Sequence, residues 1–200
     1  MPRTEFSPSI LSRPVYPGLT PQGATPAIML AEGPGAGAIL DLAALDASVM
    51  DLAHLIYIPA GHDAGPRLAA LGAKMYREAP SYPAAIERYR KALADARMGT
   101  TLYLAGSEGM IGQAMAEALA AGLPPEAIQT EHRGTIARRM QCVHCKGVTE
   151  NVTTDPFVCS HCGLTLFVRD HFSRRLGAFQ GVCVDAETPG IVPEVQEIKP

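Results

Sequence analysis

Two cysteine pairs, Cys142-Val143-His144-Cys145 and Cys159-Ser160-His161-Cys162, constrain this chain more than any other stretch. Two residues separate the members of each pair, and thirteen residues lie between the pairs. In such a tight turn both thiolates of a pair point at one ion, while backbone amides hydrogen-bond to the sulfurs. The loop between the pairs is long enough for a short β-hairpin that sets the second turn opposite the first. Cys142, Cys145, Cys159 and Cys162 are therefore the expected ligands of a tetrahedral metal site. Zinc is the first expectation, because a closed four-cysteine site is one of its common structural arrangements. Iron in a rubredoxin-like site takes the same ligands, so that alternative stays open. Disulfides are a poor account: only five cysteines occur in 200 residues, and no apolar export segment follows Arg3.

His144 and His161 lie inside the two turns. Four thiolates already complete the tetrahedron, so neither ring is expected to bind the metal. Cys183 sits in the alternating run Val182-Cys183-Val184, where a free thiol behaves as a small hydrophobe.

The chain is 47% apolar, enough for a real core, and its net charge of −3 argues against a nucleic-acid surface. No apolar run approaches the length that spans a membrane. With reduced thiols needed at the metal site, a cytoplasmic location is expected.

Residues 1–26 read as an extended arm, because Pro2, Pro8, Pro14, Pro17, Pro21 and Pro26 recur too often for helix or sheet. Phe6, Ile10, Leu11, Val15, Tyr16 and Leu19 are apolar for a solvated tail, so disorder and docking onto a partner subunit are both expectations. From residue 27 to about 135 strands and helices alternate. Strands are expected near 27–31, 54–58, 100–105 and 127–131, with helices near 38–50, 82–97 and 108–121. In the second of these helices Ile86, Tyr89 and Leu93 share one side, and Glu87 and Lys91 can pair. That alternation predicts an α/β fold, a partial doubly wound parallel sheet with helices on its faces.

Gly33-Pro34-Gly35-Ala36-Gly37 follows the first strand, in the layout that cradles phosphate at a helix N-terminus. The spacing is not G-x-G-x-x-G, and a structural turn that allows close packing is expected. His62 and Asp63 follow the second strand, at the end where α/β sheets place ligands. A solvated loop pair is the simpler reading.

The run Leu102 to Ile111, then Ala118 to Ile128, then Thr130-Glu131-His132 resembles the end of the nicotinamide-nucleotide-binding domain of ferredoxin-reductase-like proteins. The resemblance makes Gly106, Ser107, Glu108, Gly109 and Met110 the candidate nucleotide-contact turn. Ala105 stands where that family usually has cysteine. Only the short arm precedes the domain, where the family has a flavin-holding β-barrel, so a self-sufficient flavin reductase is not expected. In some oxygenase reductases a [2Fe–2S] ferredoxin domain follows; here the four-cysteine unit, about 138–188, takes that place.

Residues 166–187, with the two cysteine pairs before them, resemble the ribbon-bearing small subunit of bacterial dimethylamine monooxygenase. The resemblance implies a chain working inside a multi-subunit, NADPH-dependent enzyme that converts dimethylamine to methylamine and formaldehyde. Haem, flavin and iron–sulfur groups are then expected on partner subunits, and this chain is expected to be structural or electron-transfer-organising. A rubredoxin-like electron carrier and a nucleotide-binding regulatory module are the alternatives. Asp170, His171, Ser173, Arg174 and Arg175 form the densest polar cluster outside the cysteines. They lie too close along the chain for a catalytic triad. Arg174 and Arg175 can fork onto carboxylates or a cofactor propionate of a partner subunit, with a solvated charge cluster as the alternative. The tail, 189–200, is expected to be extended.

Overall fold

The computed structural model describes residues 12–199. Phe6, Ile10 and Leu11 of the expected arm lie outside the described residues. The first layer of structure runs β1 (Ala27–Glu32), α1 (Ala36–Leu45), β2 (Ala53–Ile58), α2 (Gly65–Ala69), β3 (Met75–Glu78), α3 (Tyr82–Ala94), β4 (Thr101–Gly106), α4 (Glu108–Ala120) and β5 (Ile128–His132). The strands form one sheet in the order β3-β2-β1-β4-β5, and every neighbouring pair is parallel.

Alternation along the strands explains both faces. Met29, Leu55 and Tyr103 point to the side covered by Ile39 and Leu42 of α1 and Leu68 of α2. Ile28, Leu30, Ile56 and Leu104 point to the other side, against Tyr89 and Leu93 of α3 and Ile111 and Ala114 of α4. Helices on both faces make the sheet doubly wound, and the strand order reverses between β1 and β4.

Several expectations need correction. β3 and α2 fall in a stretch whose punctuation by glycine and proline masks them; β3 is an exposed edge strand with no apolar run to mark it. The first helix ends at Leu45 rather than running to residue 50, because Asp46 is extended and its carboxylate accepts the Ser48 amide at 3.0 Å to start a separate turn. Glu87 does not pair with Lys91. It bonds Arg90 instead, and Lys91 bonds Asp95.

The second layer runs β6 (Arg138–Cys142), β7 (Val148–Val152), β8 (Thr154–Asp155), β9 (Phe157–Val158), β10 (Thr165–Ser173), β11 (Ala178–Cys183) and β12 (Gln196–Glu197). A sheet ordered β7-β6-β11-β10-β9 closes over Met140, Phe157, Leu166 and Phe179. The tail is extended but not loose: β12 pairs with β8, and Ile198 is buried in the same small core.

The two layers meet at α4. Gly177, in the turn between β10 and β11, has φ +59, and a Cβ placed on it would lie 2.5 Å from the Gly112 carbonyl of α4. The described part of the arm, from Ser12, lies along the edge of the chain's own parallel sheet. The Gly18 amide donates to Thr130 O at 3.1 Å, the Leu19 amide to the Glu131 carboxylate at 3.1 Å, and the Thr20 amide to Gln129 Oε1 at 2.7 Å. Tyr16 is 5% exposed, with its ring 5.7 Å from that of His132. Backbone donors that proline does not remove thus find partners on the edge of the chain's own sheet.

Candidate metal centre and the buried ion network

Two matching turns build the metal centre. After β6 the Lys146 amide donates to Cys142 O at 2.9 Å, and the Cys142 amide to Gly147 O at 2.9 Å. Between β9 and β10 the Gly163 amide donates to Cys159 O at 3.0 Å, and the Cys159 amide to Leu164 O at 2.9 Å. Lys146 (φ 64) and Gly163 (φ 74) hold the same left-handed position in their turns. The Ser160 amide bonds Thr149 Oγ1 at 3.1 Å, which ties one turn to the strand beside the other.

All four sulfurs lie within 4.8 Å of one another. Cys142 and Cys162 are 3.9 Å apart, Cys145 and Cys159 3.7 Å. A tetrahedron with metal–sulfur bonds of about 2.3 Å has edges of about 3.8 Å, so the donor set fits a four-coordinate thiophilic ion. The Gly147 amide donates to Cys145 Sγ at 3.4 Å. Burial works against the Cys159 thiolate, but amides of Cys162 and His161 and the neighbouring sulfurs bring its pKa down to about 6. Such donors stabilise the charged form that a metal ligates.

His161 stands over the first turn. A Cβ on Gly147 would sit 2.4 Å from its ring, and its Nε2 meets Val148 O at 2.9 Å. It is a lid on the turn and lies outside the group of four sulfurs, as does the exposed His144. Cys183 donates its thiol to Asp185 at 2.9 Å and is likewise outside the group; the acceptor carboxylate raises its pKa.

Polar residues that the sequence scattered through four segments converge where arm, sheet and ribbon meet. Arg138 of β6 is buried, its Nη1 is 2.8 Å from Asp170 of β10, and its Nε is 3.7 Å from Glu108 of α4. Arg13 of the arm lies 3.5 Å from the other Asp170 oxygen. The Tyr16 hydroxyl donates to Glu108 Oε1 at 2.9 Å, and the Arg138 guanidinium lies 4.6 Å from the centre of the Phe179 ring. Burial raises the Glu108 pKa, against the pull of Arg138, Tyr16 and Arg13, and burial raises that of Tyr16.

Asp170 is thus half-buried and turned toward Arg138 and the arm. A register shift between Arg169 and Phe172 re-aims the strand there. Its expected companions His171, Arg174 and Arg175 are exposed, the arginines in the turn after β10, so the cluster divides into one structural acid and a surface group. Tyr16 was marked only as one of the apolar residues of the arm, and nothing in the sequence marked Arg13 or Arg138, the latter the first of two arginines opening β6.

The candidate nucleotide turn lies at the reversal of strand order. Gly106, Glu108 and Met110 are buried, and Ser107 and Gly109 half-buried. The Ser107 amide donates to Glu32 Oε2 at 3.3 Å, its hydroxyl donates to the same oxygen, and that hydroxyl accepts the Met110 amide at 3.3 Å. The early glycine loop is a structural turn in which Gly35 is butted against β4: a Cβ on it would be 2.1 Å from Ala105 O. His62 and Asp63 are exposed; the Tyr57 hydroxyl bonds His62 O at 3.0 Å and shapes that loop.

Comparison with known proteins gives two family models. The one described as dimethylamine monooxygenase subunit DmmA-like, N-terminal domain, matches residues 8–128. The corresponding C-terminal domain matches residues 139–182. The heme-dependent oxidative N-demethylase delta subunit of Ectopseudomonas mendocina (strain ymp) is 41% identical over 103 residues. The match covers 50% of this chain and 59% of that protein, so it spans about three fifths of the relative's length. Among solved structures, a flavohemoglobin from Malassezia yamatoensis aligns with a TM-score of 0.42 at 14% identity, covering 55% of this chain and 32% of that one. An intact type IV self-sufficient cytochrome P450 monooxygenase aligns with a TM-score of 0.45 at 18% identity, covering 80% and 21%.

Proposed function

The chain belongs to the dimethylamine monooxygenase subunit DmmA-like family, and on that premise we propose that it is the metal-stabilised, non-catalytic subunit of a multi-subunit oxidative demethylase. The enzyme takes electrons from NADPH and oxidises dimethylamine to methylamine and formaldehyde. Haem, flavin and iron–sulfur groups are carried by the partner subunits, and this chain organises the contacts between them. The ferredoxin-reductase-like unit, about 27–135, and the ribbon, about 138–188, are its two working parts. The complex is cytoplasmic, where the thiols stay reduced. Among the described residues no helix is long and apolar enough to cross a membrane.

The observation that carries this reading is the four-sulfur group within 4.8 Å at the heart of a unit with few buried apolar residues. So small a core needs a staple, and zinc held by Cys142, Cys145, Cys159 and Cys162 supplies it without redox chemistry. Iron on the same ligands is the second reading; the Gly147 amide on Cys145 Sγ is the kind of hydrogen bond that tunes a rubredoxin-like centre.

Metal analysis and visible absorption of the purified chain, with an NADPH-dependent acceptor assay, test the proposal. The expected result is one zinc per chain, no colour and no turnover until the partner subunits are added. Bound iron with thiolate-to-iron absorption makes it an electron carrier instead. Acceptor reduction by the chain alone refutes the non-catalytic role.

A further inference from the structure

Open parallel sheets bind ligands outside the carboxyl ends of their strands, where strand order reverses, and an anion there settles on a helix N-terminus. In this chain that place is between β1 and β4, at the start of α4. We infer that the crevice is self-liganded: the Glu32 carboxylate occupies the position a nucleotide phosphate would take, and the α/β unit binds no dinucleotide there.

Glu32 is the last residue of β1, and one of its oxygens accepts both the amide and the hydroxyl of Ser107, the residue that caps α4. The Ser107 hydroxyl in turn accepts the Met110 amide. The amides of Ser107 and Met110 and the Ser107 hydroxyl, three donors at this helix start, are thus engaged by groups of the chain itself.

Space is closed as well. A Cβ on Gly106 would be 2.9 Å from Glu32 Cβ and 3.1 Å from Glu32 O, and the contact of Gly35 with Ala105 O brings the two loops backbone to backbone. A diphosphate needs room between them.

Charge adds a third barrier. A phosphate at this turn meets the Glu32 carboxylate, and like charges at one site repel strongly. Arg133 lies over the start of α1, but its guanidinium is 2.7 Å from both Asp41 and Glu131. On the proposed function, this crevice is then not where a nicotinamide delivers electrons to the complex.

Calorimetric titration of NADPH and NADH into the full chain, with amide hydrogen exchange over residues 106–110, tests the inference. No saturable heat and unchanged exchange are expected. Saturable binding of either dinucleotide with protection at this turn overturns it. In Glu32→Ala the internal anion is removed, and inorganic phosphate is expected to raise the melting temperature by about 2–4 °C while leaving the wild type unmoved. Equal shifts in the two proteins would show that Glu32 does not stand in for an anion. If the variant fails to fold, the wild-type titration still decides the question.

Discussion

Gly177 of the ribbon and Gly112 of α4 touch backbone to backbone. A methyl group on Gly177 would lie 2.5 Å from the Gly112 carbonyl carbon and oxygen, and one on Gly112 would lie 3.0 Å from Gly177 O. Gly177→Ala has two penalties, the collision and a side chain at φ +59. It is expected to cost about 2–4 kcal/mol in denaturant unfolding. Gly112→Ala meets only a tight contact with Gly177 O and the Phe172 ring, and is expected to cost about 1–3 kcal/mol. A Gly177→Ala protein as stable as wild type would mean that the two layers do not rest on this contact.

Arg138 answers two acids and covers an aromatic face. Its removal leaves Glu108, 2% exposed, without its buried cation, and breaks the 2.8 Å bond to Asp170. Arg138→Met is expected to destabilise by about 3–5 kcal/mol, the cost of breaking a buried pair from one side. Arg138→Lys keeps the charge but not the planar fork over Phe179, so it recovers only part of the loss. Paired chemical unfolding curves give the comparison.

The buried carboxyl of Glu108 makes a signed prediction about pH. Burial raises its pKa, with Arg138, Tyr16 and Arg13 pulling the other way. The folded state therefore holds the proton more tightly than the unfolded one. The stability it contributes is full below the ordinary carboxylate pKa, about 4.3, and is lost as pH rises through the higher folded value. Glu108→Gln removes that dependence while keeping an oxygen for the Tyr16 hydroxyl. The melting-temperature difference, wild type minus variant, is expected to fall as pH climbs from about 4. Acid release of a metal affects both proteins alike, so a difference that grows with pH contradicts the buried-acid account.

Cysteine substitutions separate ligands from bystander. Cys142→Ser or Cys159→Ser opens the tetrahedron and is expected to abolish stoichiometric metal and raise amide exchange across β6, β10 and β11. Cys183→Ser should leave both unchanged, because its thiol serves Asp185. Strong chelation of the wild type should reproduce the first pattern while sparing the parallel sheet, since apparent zinc-binding energies of about 10–16 kcal/mol are folding energy for such units.

The metal centre was legible because its ligands come in short, fixed spacings that local backbone geometry dictates. The central strands were legible for a related reason: β1, β2 and β4 are apolar on both faces and stand out as runs. The edge strand β3 carries no such signal. The buried ion network was illegible in principle, since Arg13, Glu108, Arg138 and Asp170 are distant in sequence and each looks like an ordinary surface charge. Asp170 was grouped with His171 and the two following arginines by proximity along the chain, but the irregular strand turns it the other way. The Gly106–Met110 turn was found as a motif, whereas its closure depends on Glu32, 75 residues before Ser107.

The arm has a temporal consequence. Ser12 reaches the backbone of Asp170 across 158 residues, and Arg13 and Tyr16 hold to groups that appear on α4 and in the ribbon. During synthesis at about 5–20 residues per second the arm leaves the ribosome long before its counterparts exist. It must wait, solvated, for roughly eight to thirty seconds. The first described segment to be made is thus among the last to find its place. Its docking reports that the sheet and the ribbon have both arrived.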